Sequence, residues 1–128
     1  MTLSPEIRKQ LGIALEKIPT LASAYLFGSA AADTASAGSD IDIAVLCTEK
    51  PGYTFIQTVL SVTQDILKRD DVDVCLLNDA SPLLAFEALQ GIRLAIPQRG
   101  TAAAFESLVA REYEDEMARL HHCRSLYP

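Results

Sequence analysis

The sequence predicts an α/β domain in which helices cover a central β-sheet. Two observations carry this prediction: short β-branched and apolar stretches alternate with stretches of helical period, and turn residues separate them. Strands that alternate with helices form layers with the sheet in the middle. The chain has 128 residues, which is the size of one domain. We therefore expect a single domain over 1–128, with its motifs at about 20–96 and a C-terminal helix at about 101–122.

Four helices are predicted from apolar spacing and from end signals. The first begins after Ser4 as N-cap, with Pro5 at the first helical position, and Pro19 ends it. Apolar residues at helical spacing then predict helices over 55–67 and 83–89. The last helix has an apolar stripe made of Phe105, Leu108, Val109, Tyr113, Met117 and Leu120.

Four strands are predicted between these helices, at 22–27, 41–47, 72–77 and 92–96. The second (IDIAVLC) and the third (VDVCLL) have the alternation and the β-branched content that are typical of strands. Lys50-Pro51-Gly52 marks a turn after the second strand, and Pro97 ends the fourth.

The charge and the cysteines exclude several classes of protein. With 17 acidic and 11 basic side chains the net charge is −6, whereas binders of duplex DNA or of anionic membranes need a basic surface. Cys47, Cys75 and Cys123 form no CxxC pair, which favours reduced thiols over a disulfide framework or a zinc knuckle. Neither a membrane-length apolar run nor a signal peptide is evident. We therefore expect a cytoplasmic protein.

The candidate functional residues are aspartates at the starts of two strands. Strand period places Asp40 and Asp42 on one face and Ile41 and Ile43 on the other. Two carboxylates about 7 Å apart along a strand repel each other unless a cation neutralises them. Oxygen donors suit Mg²⁺ or Mn²⁺, which share their coordination shell with phosphate oxygens.

The third strand adds a further carboxylate if it lies beside the second. Asp73 would then complete a cluster of three. Asp71 is the alternative, although it lies nearer the strand end, beside Asp70 and Arg69. Gly28 and Ser29 end the first strand, where free backbone N–H groups and a hydroxyl can hold phosphates.

These residues resemble a known family. GSAAADTASAGSDID at 28–42 is similar to the G-S-x10-D-x-D signature of the nucleotidyltransferase superfamily related to DNA polymerase beta. VDVCLLNDASPLLAFEALQGIRL at 72–94 resembles the region around the third aspartate of its minimal nucleotidyltransferase (MNT) subfamily. The resemblance covers about 20–96 and implies the nucleotidyltransferase fold, a small mixed central sheet of about four strands flanked by helices.

The resemblance also implies a reaction, with ATP as substrate. Asp40 and Asp42 would bind two Mg²⁺ ions (or Mn²⁺) that hold the triphosphate, and Asp73 would hold the ion that activates an acceptor hydroxyl. Gly28 and Ser29 would bind the departing phosphates. AMP would thereby pass to the acceptor.

The minimal subfamily resembles antitoxins that are partners of HEPN-type ribonuclease toxins. This implies transfer of AMP to a toxin hydroxyl, by analogy a tyrosine, within a hetero-oligomer, as in type VII-like toxin–antitoxin systems. The stripe of the last helix would then dock the partner or pack on its own sheet.

One departure leaves alternatives open. Where the subfamily has Arg-Gly after the G-S motif, this chain has Ala32 and Asp33. The loss of a cation there would weaken triphosphate binding. The alternatives are a catalytically weak or inactive antitoxin that neutralises by binding, or an enzyme for a small molecule such as an aminoglycoside.

Overall fold

A computed structural model describes residues 3–28 and 40–126 and contains four helices and four strands in these ranges. In chain order they are α1 (Pro5–Glu16), β1 (Leu21–Phe27), β2 (Ile41–Cys47), α2 (Tyr53–Leu67), β3 (Val72–Leu76), α3 (Pro82–Leu89), β4 (Ile92–Ala95) and α4 (Arg99–Leu126), with a 3₁₀ turn at Leu77–Asp79 between β3 and α3. The α/β class predicted from the sequence is confirmed.

The sheet is mixed, with the strand order β3-β2-β1-β4. β1 runs antiparallel to both of its neighbours, β2 and β4. β2 and β3 are parallel, and α2 makes the crossover that a parallel pair requires. The predicted small mixed sheet of about four strands is therefore confirmed, and the two aspartate-bearing strands are neighbours.

Each face of the sheet is covered by a pair of helices. Ile41, Ile43 and Val45 of β2 belong to a core cluster that also contains residues of α1 and α2. The alternate residues Ala44 and Leu46 belong to a second cluster, formed with residues of α3 and α4. Because Asp42 shares the side of Ala44, the predicted functional carboxylates lie on the α3–α4 side.

The ends of some elements differ from the sequence-based expectations. α1 begins as expected, where Ser4 Oγ accepts a hydrogen bond from the Ile7 N–H at 3.2 Å, but it ends at Glu16. β3 ends at Leu76, and Leu77 begins the 3₁₀ turn. α4 begins at Arg99 and continues to Leu126, beyond the predicted stripe. Side chains are exposed from Ala118 to Arg124, so burial gives no signal for where this helix ends.

None of the helices in the described ranges is both long enough and apolar enough to cross a membrane.

Candidate active site

Asp42 lies in the middle of a row of residues that crosses the sheet. Its Cα partner in β1 is Phe27, and its Cα partner in the parallel strand β3 is Asp73. Asp42 is half-buried, whereas Asp73 and Asp40, which directly precedes β2, are exposed. The backbone N–H of Ile41 donates to the Asp71 carbonyl oxygen at 2.9 Å, which extends the β2–β3 pairing next to Asp40. The fold thus brings the starts of both aspartate-bearing strands together.

The charges around Asp42 make its ionised form unfavourable. Burial raises the pKa of the Asp42 carboxyl, and the negative charges of Asp73, Asp40 and Glu87 raise this pKa further. A divalent cation among these side chains would relieve the repulsion.

Glu87 is the residue that sequence reasoning missed. It is exposed on α3, and its charge acts on Asp42. The only signal in the sequence was that it is the one acidic residue in the helix predicted at 83–89.

Asp71, the alternative to Asp73, is engaged elsewhere. Arg69 Nε donates to Asp71 Oδ1 at 2.6 Å, and a second guanidinium nitrogen of Arg69 donates to Asp71 Oδ2. These hydrogen bonds lower the pKa of the Asp71 carboxyl. Asp71 is therefore a partner of Arg69, which leaves Asp73 as the β3 carboxylate beside Asp42.

Gly28 packs directly against Asp42. Its φ of +74° lies in the left-handed region, and a Cβ built on it would stand 2.5 Å from Asp42 Oδ2. Only glycine tolerates both conditions, since other residues are strained at this φ and a methyl group would displace the carboxylate. Ser29, Ala32 and Asp33, which the sequence singled out, lie outside the described residues.

The donor set suits a hard divalent cation, although the side chains do not enclose one. Asp40, Asp42 and Asp73 offer carboxylate oxygens, the donors that Mg²⁺ and Mn²⁺ prefer. In the described ranges, no three Asp, Glu, His or Cys side chains are close enough together to hold a metal ion in common. The exposed Asp40 and Asp73 side chains would have to rotate towards Asp42 to share one.

A polymerase beta nucleotidyltransferase family model matches residues 9–99. The chain belongs to this family. No curated protein matches it.

Several solved structures of similar chains come from toxin–antitoxin complexes. A chain of a toxin–antitoxin structure solved with AMP-PNP is 26% identical, with 96% of this chain and 97% of that chain covered and a TM-score of 0.71. A chain of the MntA–HepT toxin–antitoxin structure is 22% identical, with 95% and 97% covered and a TM-score of 0.67. A third chain comes from a tri-AMPylated Shewanella oneidensis HEPN toxin in complex with MNT antitoxin and is 23% identical, with 94% of each chain covered and a TM-score of 0.66. The last two likenesses establish the fold alone.

Proposed function

We propose that this nucleotidyltransferase domain transfers AMP from ATP to a tyrosine hydroxyl of a HEPN-type ribonuclease toxin and so acts as its antitoxin. The observation that carries the proposal is the alignment of Asp42 with Asp73 across β2 and β3, with Gly28 packed against Asp42. The likeness over nearly the whole chain to a toxin–antitoxin chain solved with AMP-PNP supports both the nucleotide and the kind of partner.

The reaction needs a hydroxyl placed in line with the α-phosphorus of ATP. The hydroxyl oxygen forms the new bond to that phosphorus, the bond to the β-phosphate oxygen breaks, and pyrophosphate leaves. Asp73 is exposed next to Asp42 and accepts the hydroxyl proton in this proposal. We assign the binding of the departing phosphates to Gly28 and Ser29, the residues of the G-S motif.

We assign Mg²⁺ to Asp40, Asp42 and Asp73 as two ions, with Mn²⁺ as a possible substitute. Burial and the neighbouring negative charges raise the pKa of Asp42, and a bound cation would favour its ionised form, which supports this assignment. When bound, the cations would neutralise the phosphate charge that the acidic side chains otherwise repel.

Cellular ATP and reduced thiols are consistent with a cytoplasmic site of action. Cys47, Cys75 and Cys123 are all free thiols. We therefore propose that the protein works in the cytoplasm.

The test is label transfer from ATP labelled at the α-phosphate, with Mg²⁺ and the cognate HEPN-type toxin of the proposal. Wild type should label the HEPN protein, and Asp40→Ala and Asp73→Ala should each lower the rate by at least about 100-fold. Asp71→Asn is the matched control, because it changes a neighbouring aspartate that binds Arg69, and it should retain the rate.

The alternatives give different results in this assay. If wild type neutralises the HEPN ribonuclease without label transfer, the chain is an antitoxin that acts by binding. If label passes to a small hydroxylated molecule such as an aminoglycoside and not to the HEPN protein, the proposed acceptor is wrong and the chain is an enzyme for a small molecule.

A further inference from the structure

A cavity of about 240 Å³ lies between α1 and β4, at the edge of the sheet. Its lining residues are Pro5, Arg8, Lys9, Ile92, Arg93 and Leu94. Three of these six residues are cationic and none is acidic, in a chain whose net charge is −6. We call Arg8, Lys9 and Arg93 the basic cluster. Like charges around one cavity repel each other, and a bound anion would relieve that repulsion.

The close packing of α1 on β4 places the basic cluster. A Cβ built on Gly12 would stand 2.3 Å from the Leu94 carbonyl oxygen, so the helix backbone lies directly against the strand. Arg8 lies about one turn before Gly12, on the same side of α1. This contact between the two backbones therefore brings Arg8 to the edge strand, beside Arg93.

The members of the basic cluster differ in their partners. A terminal guanidinium nitrogen of Arg93 donates to Glu106 Oε1 at 2.9 Å. Arg8 and Lys9 form no ion pair with any residue that the structure describes. Arg8 Nε is buried, and within the same ranges it has no hydrogen-bond acceptor. Since buried donors are normally paired, the described residues leave part of the binding capacity of Arg8 unused.

The number of charges selects the kind of anion. Glu106 balances Arg93, which leaves the two positive charges of Arg8 and Lys9 at the cavity. One carboxylate would neutralise only one of them. A phosphate group carries close to two negative charges at neutral pH, and a guanidinium group can bind two of its oxygens at once. Phosphate is therefore the better match.

The acidic residues elsewhere in the chain do not cancel this local charge. β1 separates β2 from β4, so Asp42 belongs to a strand about 10 Å from β4. Asp42 also lies on the α3–α4 side of the sheet, whereas Arg8 and Lys9 belong to α1 on the other side. Salt screens exposed charges beyond about 8 Å at physiological ionic strength. Glu6, in the first turn of α1, does not line the cavity.

We propose that the basic cluster binds a phosphate group, with Arg8 and Lys9 supplying the charge that neutralises it. The ligand is either free phosphate or the phosphomonoester of a larger molecule, because the two share the same oxygens and the same charge. The inference goes beyond the proposed function and does not depend on it, since neither AMP transfer nor a divalent ion is involved. A bound phosphate would link α1 to the edge strand.

Thermal unfolding of the full chain in metal-free buffer tests the basic cluster. Potassium phosphate should raise the Tm with saturation, relative to KCl of equal ionic strength. Arg8→Gln/Lys9→Gln should raise the phosphate concentration that gives half of this effect by about tenfold or more. Lys17→Gln/Lys50→Gln is the matched control, because it removes two positive charges from exposed lysines outside the cavity, and it should behave as wild type.

Two further measurements keep the test decisive. Lys9→Gln alone changes an exposed residue, so it should fold even if the double variant does not, and it should weaken phosphate binding several-fold. O-phosphoserine in place of phosphate identifies the source: an equal effect shows that the cavity accepts a phosphomonoester, whereas an effect of phosphate alone shows that the ligand is the free ion. Either result supports the phosphate class.

Four results would overturn the proposal. The first is a rise in Tm no larger than the rise in KCl, and the second is an equal loss of binding in the control variant. The third is a wild-type response in the variants of Arg8 and Lys9, which would place the phosphate elsewhere, as at Gly28 and Ser29. The fourth is an equal effect of acetate at the same concentration, because a monoanion would then suffice. None of these results bears on AMP transfer, which the label assay decides separately.

Discussion

At the scale of single residues, the candidate site depends on contacts between groups that are far apart in sequence. Asp42 lies between Gly28, which directly follows β1, and Asp73 of β3. Its carboxylate is partly withdrawn from water and surrounded by like charge. Each of these conditions can be altered by a single substitution.

Gly28→Ala should displace the Asp42 carboxylate. The added Cβ would stand 2.5 Å from Asp42 Oδ2 at a backbone φ of +74°. We expect a loss of about 1–2 kcal/mol in the free energy of unfolding and a fall of about 10- to 100-fold in the AMP-transfer rate. Urea denaturation and the label-transfer assay measure the two effects.

Gly100→Ala is the control for this substitution. No atom lies within 4 Å of the position of its Cβ, and the residue is in α4, where alanine is the better helix former. Gly100→Ala should therefore stabilise the chain slightly and leave the AMP-transfer rate unchanged. Equal behaviour of the two variants would contradict the role assigned to Gly28.

Asp42→Asn should stabilise the metal-free protein at neutral pH. Because folding raises the pKa of Asp42, its contribution to stability is complete below the ordinary carboxyl pKa of about 4 and is lost as the pH rises through the folded pKa. Asparagine stays neutral throughout. In EDTA at pH 7 the Tm of the variant should exceed that of wild type, and the gap should close near pH 3. The control is Asp65→Asn, the same change at an exposed residue of α2.

At the scale of elements, Asn78 links the 3₁₀ turn to the end of β2. Its side-chain amide donates to the Cys47 carbonyl oxygen at 2.9 Å and accepts from the Cys47 N–H at 2.9 Å. The two hydrogen bonds continue the pairing of β2 beyond the end of β3 at Leu76. The turn that leads into α3 is thereby fixed to the strand that carries Asp42.

Asn78→Ala should cost about 1–3 kcal/mol of unfolding free energy, because both backbone groups of Cys47 lose a partner. Asn78→Asp keeps an acceptor for the Cys47 N–H but places a carboxylate oxygen against the Cys47 carbonyl oxygen, so it should lose at least as much. Urea midpoints of the two variants measure this order, and the reverse order would contradict it.

The order and type of the elements could be predicted from the sequence because apolar residues on the buried faces recur with the period of a helix or of a strand. The end of α4 could not, since its last described side chains are exposed and leave no period to detect. The sequence could not predict that β3 lies beside β2, because packing between distant segments decides which strands are neighbours. Glu87 was missed for the same reason: the direction in which a helical residue points depends on how α3 is seated on the sheet.

At the scale of the whole molecule, part of the negative charge is concentrated where it can bind a cation. The net charge of −6 includes Asp40, Asp42, Asp73 and Glu87, whose charges interact on one side of the sheet. A ligand that binds only the folded state stabilises it in proportion to the logarithm of its concentration. Mg²⁺ is such a ligand in the proposed function.

Mg²⁺ or Mn²⁺ should therefore raise the Tm of the isolated chain. At ten times the dissociation constant the gain is about 1.4 kcal/mol, or several degrees for a domain of this size. Thermal scans with and without the ion measure it. Asp73→Asn should lose most of the shift, and Asp71→Asn should keep it; an unchanged shift in Asp73→Asn would place the ion elsewhere.

The parallel pairing of β2 with β3 also has a kinetic consequence. Asp42 and Asp73 are 31 positions apart in the chain, and they become neighbours only after α2 has crossed over. Long-range pairing of this kind requires loop closure and slows folding. In an unfolded chain these carboxylates are not close together, so the divalent ion has no site to bind. The ion should therefore slow unfolding without raising the folding rate.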